Sequence, residues 1–439
     1  MTVFRPARHP PRGRITWISP ILGLLVILFI YIYHQNASSP IAFPQRRQNA
    51  NTDCPNLPGL EDIFVVLKTG VTEARDKVPI HLQTTLRCIP NYIIFSDYAE
   101  KIHNVQLHDV LENVAEDVKQ SNPDFSIYNR VRAAGRTALT SADMNPDTNS
   151  AFGKPNNPGW KLDKWKFLPM IEETLKARDD AKWYVFMEAD TYFFWPNLLS
   201  WLAQLEHQRP YYLGNQMQIA DVVFAHGGSG FVLSNPAMRA AVALRRENVD
   251  MWDRVTNDHW AGDCVLGKLM ADAGVGMLWA WPVLISGQPS ELDFFSEGYR
   301  KKPWCYAPVA YHHLGPDQIR ELWEFERKWY RDGNQMPVLY RDVFRHIVRP
   351  KLGGTVAGWD NRIGETPGKS SLSLVECRVL CYRDDKCAQY TYTDGKCWTS
   401  HVPVRGAQKD GVASGWITER VDALVDAMGS CPHAKWILS

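Results

Sequence analysis

The sequence predicts an α/β fold with a mainly parallel central sheet, followed by a small disulfide-rich α+β module. Three observations predict it. Short apolar runs at 63–67, 92–95 and 183–187, aromatic or β-branched, alternate with stretches of helical periodicity. Each run ends in polar or charged residues, where open α/β sheets bind their ligands. Five of the nine cysteines crowd residues 377–431, in a turn-rich segment that follows Gly353, Gly354 and Gly358.

Taken in order, Ile63 to Leu67 is the first expected strand, ending at Lys68-Thr69-Gly70, and Tyr92 to Phe95 is the second, ending at Ser96-Asp97. Helices are expected around Ile80 to Leu86 and around Val110 to Lys119. Residues 145–159 read as a long loop, and Leu162 to Arg178 as a helix bent at Pro169. Trp183 to Met187 is a buried strand, and Trp195-Pro196 opens a helix with Leu198, Leu202 and Leu205 at helical spacing. Phe224 to Leu233 is strand-like around HGGSGF, and Ser234-Asn235-Pro236 starts a helix running to Arg246. Asp263 stands at the mouth of the helix CVLGKLMADAG, and Met277 to Val283 resembles a buried strand. Ile319, Leu322, Trp323, Phe325 and Trp329 share one broad face of a closing helix.

A chain of 439 residues, 45% hydrophobic and 22% charged, accommodates one large globular domain and a smaller one. The net charge is +1, and Arg5, Arg8, Arg12 and Arg14 precede the first acid. The remainder is therefore weakly acidic, which excludes nucleic acid as the main partner. Ile15 to Tyr33 follows those arginines without one charged residue and approaches the ~20 positions that cross a hydrocarbon core. Trp17, Tyr31 and Tyr33 suit its two interfaces. A cleaved signal peptide is the competing reading, but the run exceeds the usual length and no A-x-A site follows. The expected layout is a cytosolic tail (1–14), a transmembrane signal anchor (15–33), a polar stem (34–58), the main domain (59–350) and the cysteine-rich module (351–439). The basic flank keeps the amino end cytosolic and exports the rest. Without a C-x-x-C knuckle, disulfides are expected rather than zinc; their pairing stays open, and an odd count leaves one thiol over.

The chemistry concentrates in four places. In MEADTYFFW, Glu188 and Asp190 stand one residue apart at the end of a buried strand. Carboxylates crowded by aromatics lose hydration unless a cation or hydrogen bonds compensate, and a hard divalent cation there can hold a diphosphate. Gly227, Gly228, Ser229 and Gly230 remove side chains where a ligand must approach the backbone, and close approach by a sugar is the functional expectation. Neither phosphate-loop spacing is present. Asp263 is a candidate general base, although a lone aspartate at a helix start is more often a cap. His312-His313 could complete a mixed nitrogen and oxygen site suited to manganese.

In this order these elements resemble the Fringe and core-1 β-1,3-galactosyltransferase family, glycosyltransferase family thirty-one, over roughly residues 60–330. EADTYF resembles the family's DDDTYV, GGSGFVLS its GGAGYVLS, GDCVLG its acid-Asp-x-x-aliphatic-Gly motif, and Tyr311-His312 with Pro316 its Phe-His element. The resemblance implies a GT-A fold and a Golgi-type type II membrane enzyme of the secretory pathway, its catalytic domain luminal. It also implies a Mn²⁺-dependent inverting transfer of a hexose or N-acetylhexosamine from a UDP-sugar to a glycan or glycoprotein hydroxyl, forming a β-1,3 linkage. Metal ligands would be Glu188, Asp190 and His312, with Asp263 the catalytic base. Gly227, Gly228, Ser229, Gly230 and His313 would border the substrates. Two positions depart from the family: its middle aspartate is Ala189 here, and the acid before its base is Gly262. They keep a second reading open, a membrane-anchored carbohydrate- or protein-binding receptor on a degenerate transferase domain. The tail VECRVLCYRDDKCAQYTYTDGKCW separately resembles a PAN or Apple module. That implies Cys377 with Cys397 and Cys381 with Cys387, and leaves Cys431 without its usual early partner.

Overall fold

The computed structural model describes residues 54–144, 156–362, 368–370 and 373–439, all within one compact unit, Arg46–Ser439. The expected anchor at 15–33, the tail before it, nearly all of the stem and most of the 145–159 loop lie outside these residues. Among the described residues no helix is long and apolar enough to cross a membrane.

Eight strands make the main sheet: β1 (Ile63–Lys68), β2 (Tyr92–Ser96), β3 (Glu100–Ile102), β4 (Val105–Asp109), β5 (Trp183–Glu188), β7 (Tyr212–Gly214), β10 (Phe231–Ser234) and β11 (Met277–Trp279). Between them in the chain lie β6 (Tyr192–Phe193), β8 (Gln216–Ile219) and β9 (Val222–Ala225). The sheet order is β11-β7-β10-β5-β1-β2-β4-β3. Strands β5, β1, β2 and β4 run parallel, as do β7 and β11. Between these two groups β10 runs antiparallel to both neighbours. Every residue of β1 is buried, as a central strand covered on both faces requires. Lys68 and Glu188 stand opposite each other in register, so the carboxyl ends of β1 and β5 open on one rim.

The expected elements are found, with shifted bounds. The first helix, α1, is Ala74–Gln83, starting six residues and ending three residues earlier than its apolar spacing suggested. No helix starts at Val110: the Asp109 carboxylate accepts from the Leu111 N–H at 2.9 Å, a local turn that competes with helix, and the helix is Glu116–Ser121. The stretch from 162 to 178 is not one helix bent at Pro169. It is Pro158–Asp163, a tight turn at Lys164–Lys166 and α2 (Phe167–Ala177), with Pro169 in the tolerant first turn of α2. The strand expected to reach Val283 stops at Trp279, because the chain turns at Ala280, whose carbonyl accepts from Val283 N. Helices α3 (Asn235–Glu247), α4 (Gly262–Asp272) and α5 (Pro316–Arg331) agree with their sequence signals.

After β12 (Ala310–Tyr311), the strands β13 (Thr355–Asp360), β14 (Lys369–Ser370), β15 (Gln389–Thr393), β16 (Lys396–Ser400) and β17 (Ala407–Trp416) form a separate antiparallel sheet ordered β13-β17-β15-β16-β14. The helix Leu374–Arg383 is stapled to it by Cys377–Cys397, and Cys381–Cys387 closes its end. Cys54 pairs with Cys88, and Cys431 finds its partner outside the tail, in Cys305. The leftover thiol is Cys264, which is buried. One apolar cluster runs from Phe294, Tyr311 and Phe344 of the main domain to Trp416 and Val421 of the tail.

Candidate active site

A pairing of two very short strands builds the centre of the site. Ala310 and Tyr311 pair with Phe193 and Tyr192, and the Leu314 N–H donates to the Asp190 carbonyl at 2.9 Å. This ribbon delivers His312 to Asp190, with Nε2 3.2 Å from Oδ1. His313 follows in a left-handed conformation, its ring 3.9 Å from that of His312. Ligand atoms of Asp190, His312 and His313 all lie within 4.8 Å of one another. Asp190 Oδ1 is buried and has only this ion-pair approach from His312, with no well-formed hydrogen bond, which leaves it free to meet a cation. Two imidazoles and a carboxylate are a donor set that a borderline-hard divalent ion such as manganese accepts.

Glu188 takes another partner. Its Oε1 lies 3.0 Å from Lys68 Nζ, and Lys68 is also paired with Asp163. Burial disfavours the charged lysine, but the two carboxylates outweigh it and hold Lys68 protonated well above its ordinary range. Asp190 is governed the same way: burial alone would raise its pKa, and contact with His312, then Lys77 at 3.2 Å, drives it well below the carboxylate range. The acid stays ionised, as a metal ligand must. Lys77 sits on α1 and is shared with Glu73.

Asp263 accepts from its neighbour Cys264 N and from Gly227 N, each at 2.9 Å. Burial, reinforced by the charge of Glu188, pushes its carboxyl up to about 6. It is thereby poised to accept a proton near neutral pH.

Glu188, Asp190, Gly228, Asp263, His312 and His313 all line one cleft of about 700 Å³. Of the glycine loop only Gly228 lines it; Gly227, Ser229 and Gly230 do not. Ser229 is fully buried, bonded to His226 and Ser286 at 2.8 and 3.0 Å. The glycines make room for protein atoms: a Cβ on Gly228 would stand 2.2 Å from His312 Cε1, and one on Gly227 would stand 2.9 Å from Phe167. Thr191 Oγ1 donates to the Gly228 carbonyl, locking the glycine loop to the acidic turn.

The two departures from the family pattern have structural causes. Ala189 is packed in the sheet's apolar core, and its carbonyl receives His81 Nε2 at 2.9 Å. Burial lowers the His81 pKa to about 4, so this imidazole is neutral and can donate. A Cβ at Gly262 already meets the Lys164 carbonyl oxygen at 2.5 Å, so a larger side chain there would displace backbone.

Sequence reasoning missed Lys68, Lys77, Asp163 and Lys166. Lys166 sits 3.0 Å from Asp97, with both side chains nearly fully buried. Its Nζ also donates to the Thr69 carbonyl at 2.8 Å, so Asp97 braces the first loop. A lysine closing a buried apolar strand was the one available signal, since burial of an unpaired ammonium is prohibitive.

Parallel strands of an α/β sheet send carboxylates and a lysine into one cleft, met there by imidazoles from a crossing ribbon, at the carboxyl ends where such sheets bind their ligands. The model of the Fringe family, described as Fringe-like, matches residues 59–278, half of the chain, and the chain belongs to that family. Fringe-like glycosyltransferases use a nucleotide sugar and a divalent cation and act on glycan acceptors. No curated protein matches this chain.

Proposed function

We propose that this chain is an inverting, Mn²⁺-dependent glycosyltransferase that moves a hexose or N-acetylhexosamine from a UDP-sugar to a glycan hydroxyl, forming a β-1,3 linkage. The observation that carries the reading is the shared cleft: Asp190, His312 and His313 gather there, and so does an Asp263 tuned to about 6. Asp190, His312 and His313 would hold the ion, with Glu188 beside them orienting Lys68. Bound there, a divalent cation neutralises the charge that grows on the departing diphosphate. Lys68 and Lys77 add fixed positive charge to the same wall. Asp263 takes the proton of the acceptor hydroxyl as that oxygen bonds to the anomeric carbon. The bond from that carbon to the diphosphate oxygen breaks on the opposite face, and UDP leaves with the bonding pair. The linkage and donor class follow the motif resemblance.

The same reading places the enzyme in a secretory-pathway membrane of Golgi type, anchored through 15–33 with the cleft luminal. Four disulfides suit that oxidising compartment. The tail, as a PAN- or Apple-like module, would help to retain acceptors. The test is UDP release by the full-length chain against a panel of UDP-sugars and glycan acceptors, with and without Mn²⁺. Metal-dependent release with one donor is expected. Absence of metal-dependent UDP binding by calorimetry would instead favour the receptor reading.

A further inference from the structure

At the carboxyl end of β11, Trp279 and Trp281 carry a tyrosine on their edges. Tyr299 meets the two indoles edge-on, with ring centroids 4.6 and 5.4 Å away, yet 70% of it is exposed. It stands at the tip of a tight turn closed by two backbone hydrogen bonds between Gly298 and Lys301, each 2.9 Å. Both central residues, Tyr299 and Arg300, are left-handed, with φ of 49° and 61°. Turns of this type favour asparagine and glycine, so a tyrosine there is held against backbone strain. Gly298 lets the turn approach, since a Cβ there would stand 3.0 Å from the Trp281 ring.

This aromatic corner shares the rim of the active site. Strand β11 runs parallel to β7, and through β10 both run parallel to β5, so Trp279 ends on the same side of the sheet as Glu188. From Trp279 Nε1 a polar path leads to Asn215 at 3.5 Å, on to Ser286 at 2.6 Å and to Ser229 at 3.0 Å, next in the chain to Gly228 of the cleft. The strained, exposed Tyr299 on two half-buried indoles, with Lys301 Nζ 5.4 Å from the Trp279 ring and Arg300 beside it, supplies what a pyranose needs: a flat apolar face for its C–H groups and donors for its hydroxyls.

We propose that Tyr299, with Trp281 and Trp279, is a distal acceptor subsite that stacks on a sugar ring beyond the one that receives the transfer. The assignment rests on the transferase reading and deepens it, naming an oligosaccharide rather than a single sugar as the preferred acceptor.

The experiment compares the full-length chain with Tyr299→Asn, which suits a left-handed position and so preserves the turn, and with Tyr299→Trp. The acceptors are ladders of β-linked N-acetyllactosamine and chito-oligosaccharides of one to four rings, and glycopeptides bearing one sugar. In Tyr299→Asn, KM for the longer acceptors should rise about five- to tenfold, with kcat and the single-ring KM unchanged. Tyr299→Trp should restore it. An equal change at every length, no change, or a loss that follows the peptide rather than the sugars overturns the subsite. Should no acceptor turn over and calorimetry show no metal-dependent UDP binding, the transferase reading fails by itself. Saturation-transfer NMR with the four-ring glycans, without donor or metal, then decides the subsite: signal lost in Tyr299→Asn supports it, and no signal in the wild type overturns it.

Discussion

Gly228 stands against His312 so closely that a single added methyl carbon would come within 2.2 Å of the imidazole. The glycine therefore sets the position of the ring, and through the ring the 3.2 Å contact with Asp190. Gly228→Ala must push His312 aside, because Thr191 fixes the loop through the Gly228 carbonyl. We expect Mn²⁺ affinity, read by calorimetry in the presence of UDP, to fall at least tenfold, the order seen when groups that orient metal ligands are lost. Asp190→Ala should abolish metal-dependent binding. Asp263→Asn should leave it intact while turnover falls by roughly 10²–10⁴-fold. Equal loss of binding in Asp190→Ala and Asp263→Asn would refute this division of roles.

The pH dependence of kcat/KM should carry the signature of Asp263. A general base works only when deprotonated, so the rate should climb through about pH 6 and level off above it. Burial is the main cause of the raised value, and the charge of Glu188 adds to it. Glu188→Gln removes that charge and leaves Lys68 with one fewer acid to offset it, so the rising limb should move to lower pH. A limb that stays in place would show that the charge of Glu188 does not act on the titrating group, and a limb that persists in Asp263→Asn would show that this group is not Asp263.

Much of this site was legible in the sequence because its chemistry lies at strand ends. The run before Glu188 and Asp190 announced a buried strand, and the order of the four short motifs fixed which acid and which histidine to examine. What stayed hidden depends on partners distant in the chain. Lys68 meets Asp163 and Glu188 only because β1 and β5 pair and the turn at Lys164–Lys166 folds over them. The glycine loop looked shaped for a sugar, whereas Phe167 and His312 account for two of its glycines. The fold's parallel core followed from alternation of strands and helices, but no local pattern reveals that β10 enters antiparallel in its middle.

Glu326 is a buried carboxyl on α5 that accepts from the Tyr192 hydroxyl, while its second oxygen has no hydrogen-bond partner. Burial pushes its pKa up to about 8, against about 4.5 when unfolded. Between those values the folded state holds the extra proton, so stability should decline as pH rises through that window. Glu326→Gln keeps a hydrogen-bond acceptor for Tyr192 and cannot ionise. We expect its melting temperature to exceed the wild type's by a few degrees at pH 8 and to match it near pH 4. A variant equally destabilised at both pH values would show that the carboxyl contributes by shape rather than by titration.

The disulfides should rank by the loops they close. Cys305–Cys431 spans 126 residues and ties the end of the chain to the main domain, whereas Cys381–Cys387 spans six. Loop-closure entropy grows with the logarithm of length, so the long bridge should contribute ~3 kcal/mol more than the short one. Local packing acts in the same direction. Lys435 N donates to the Cys305 carbonyl at 2.9 Å, and the fully buried Trp201 donates to the Ile437 carbonyl, contacts that depend on the tail being held. The double variant Cys305→Ser/Cys431→Ser should therefore melt several degrees below Cys381→Ser/Cys387→Ser, and amide exchange should rise at Lys435 and Ile437 in the former alone. Equal melting temperatures with unchanged exchange would mean that the 418–439 segment is held by its apolar contacts and that the bridge adds nothing to them.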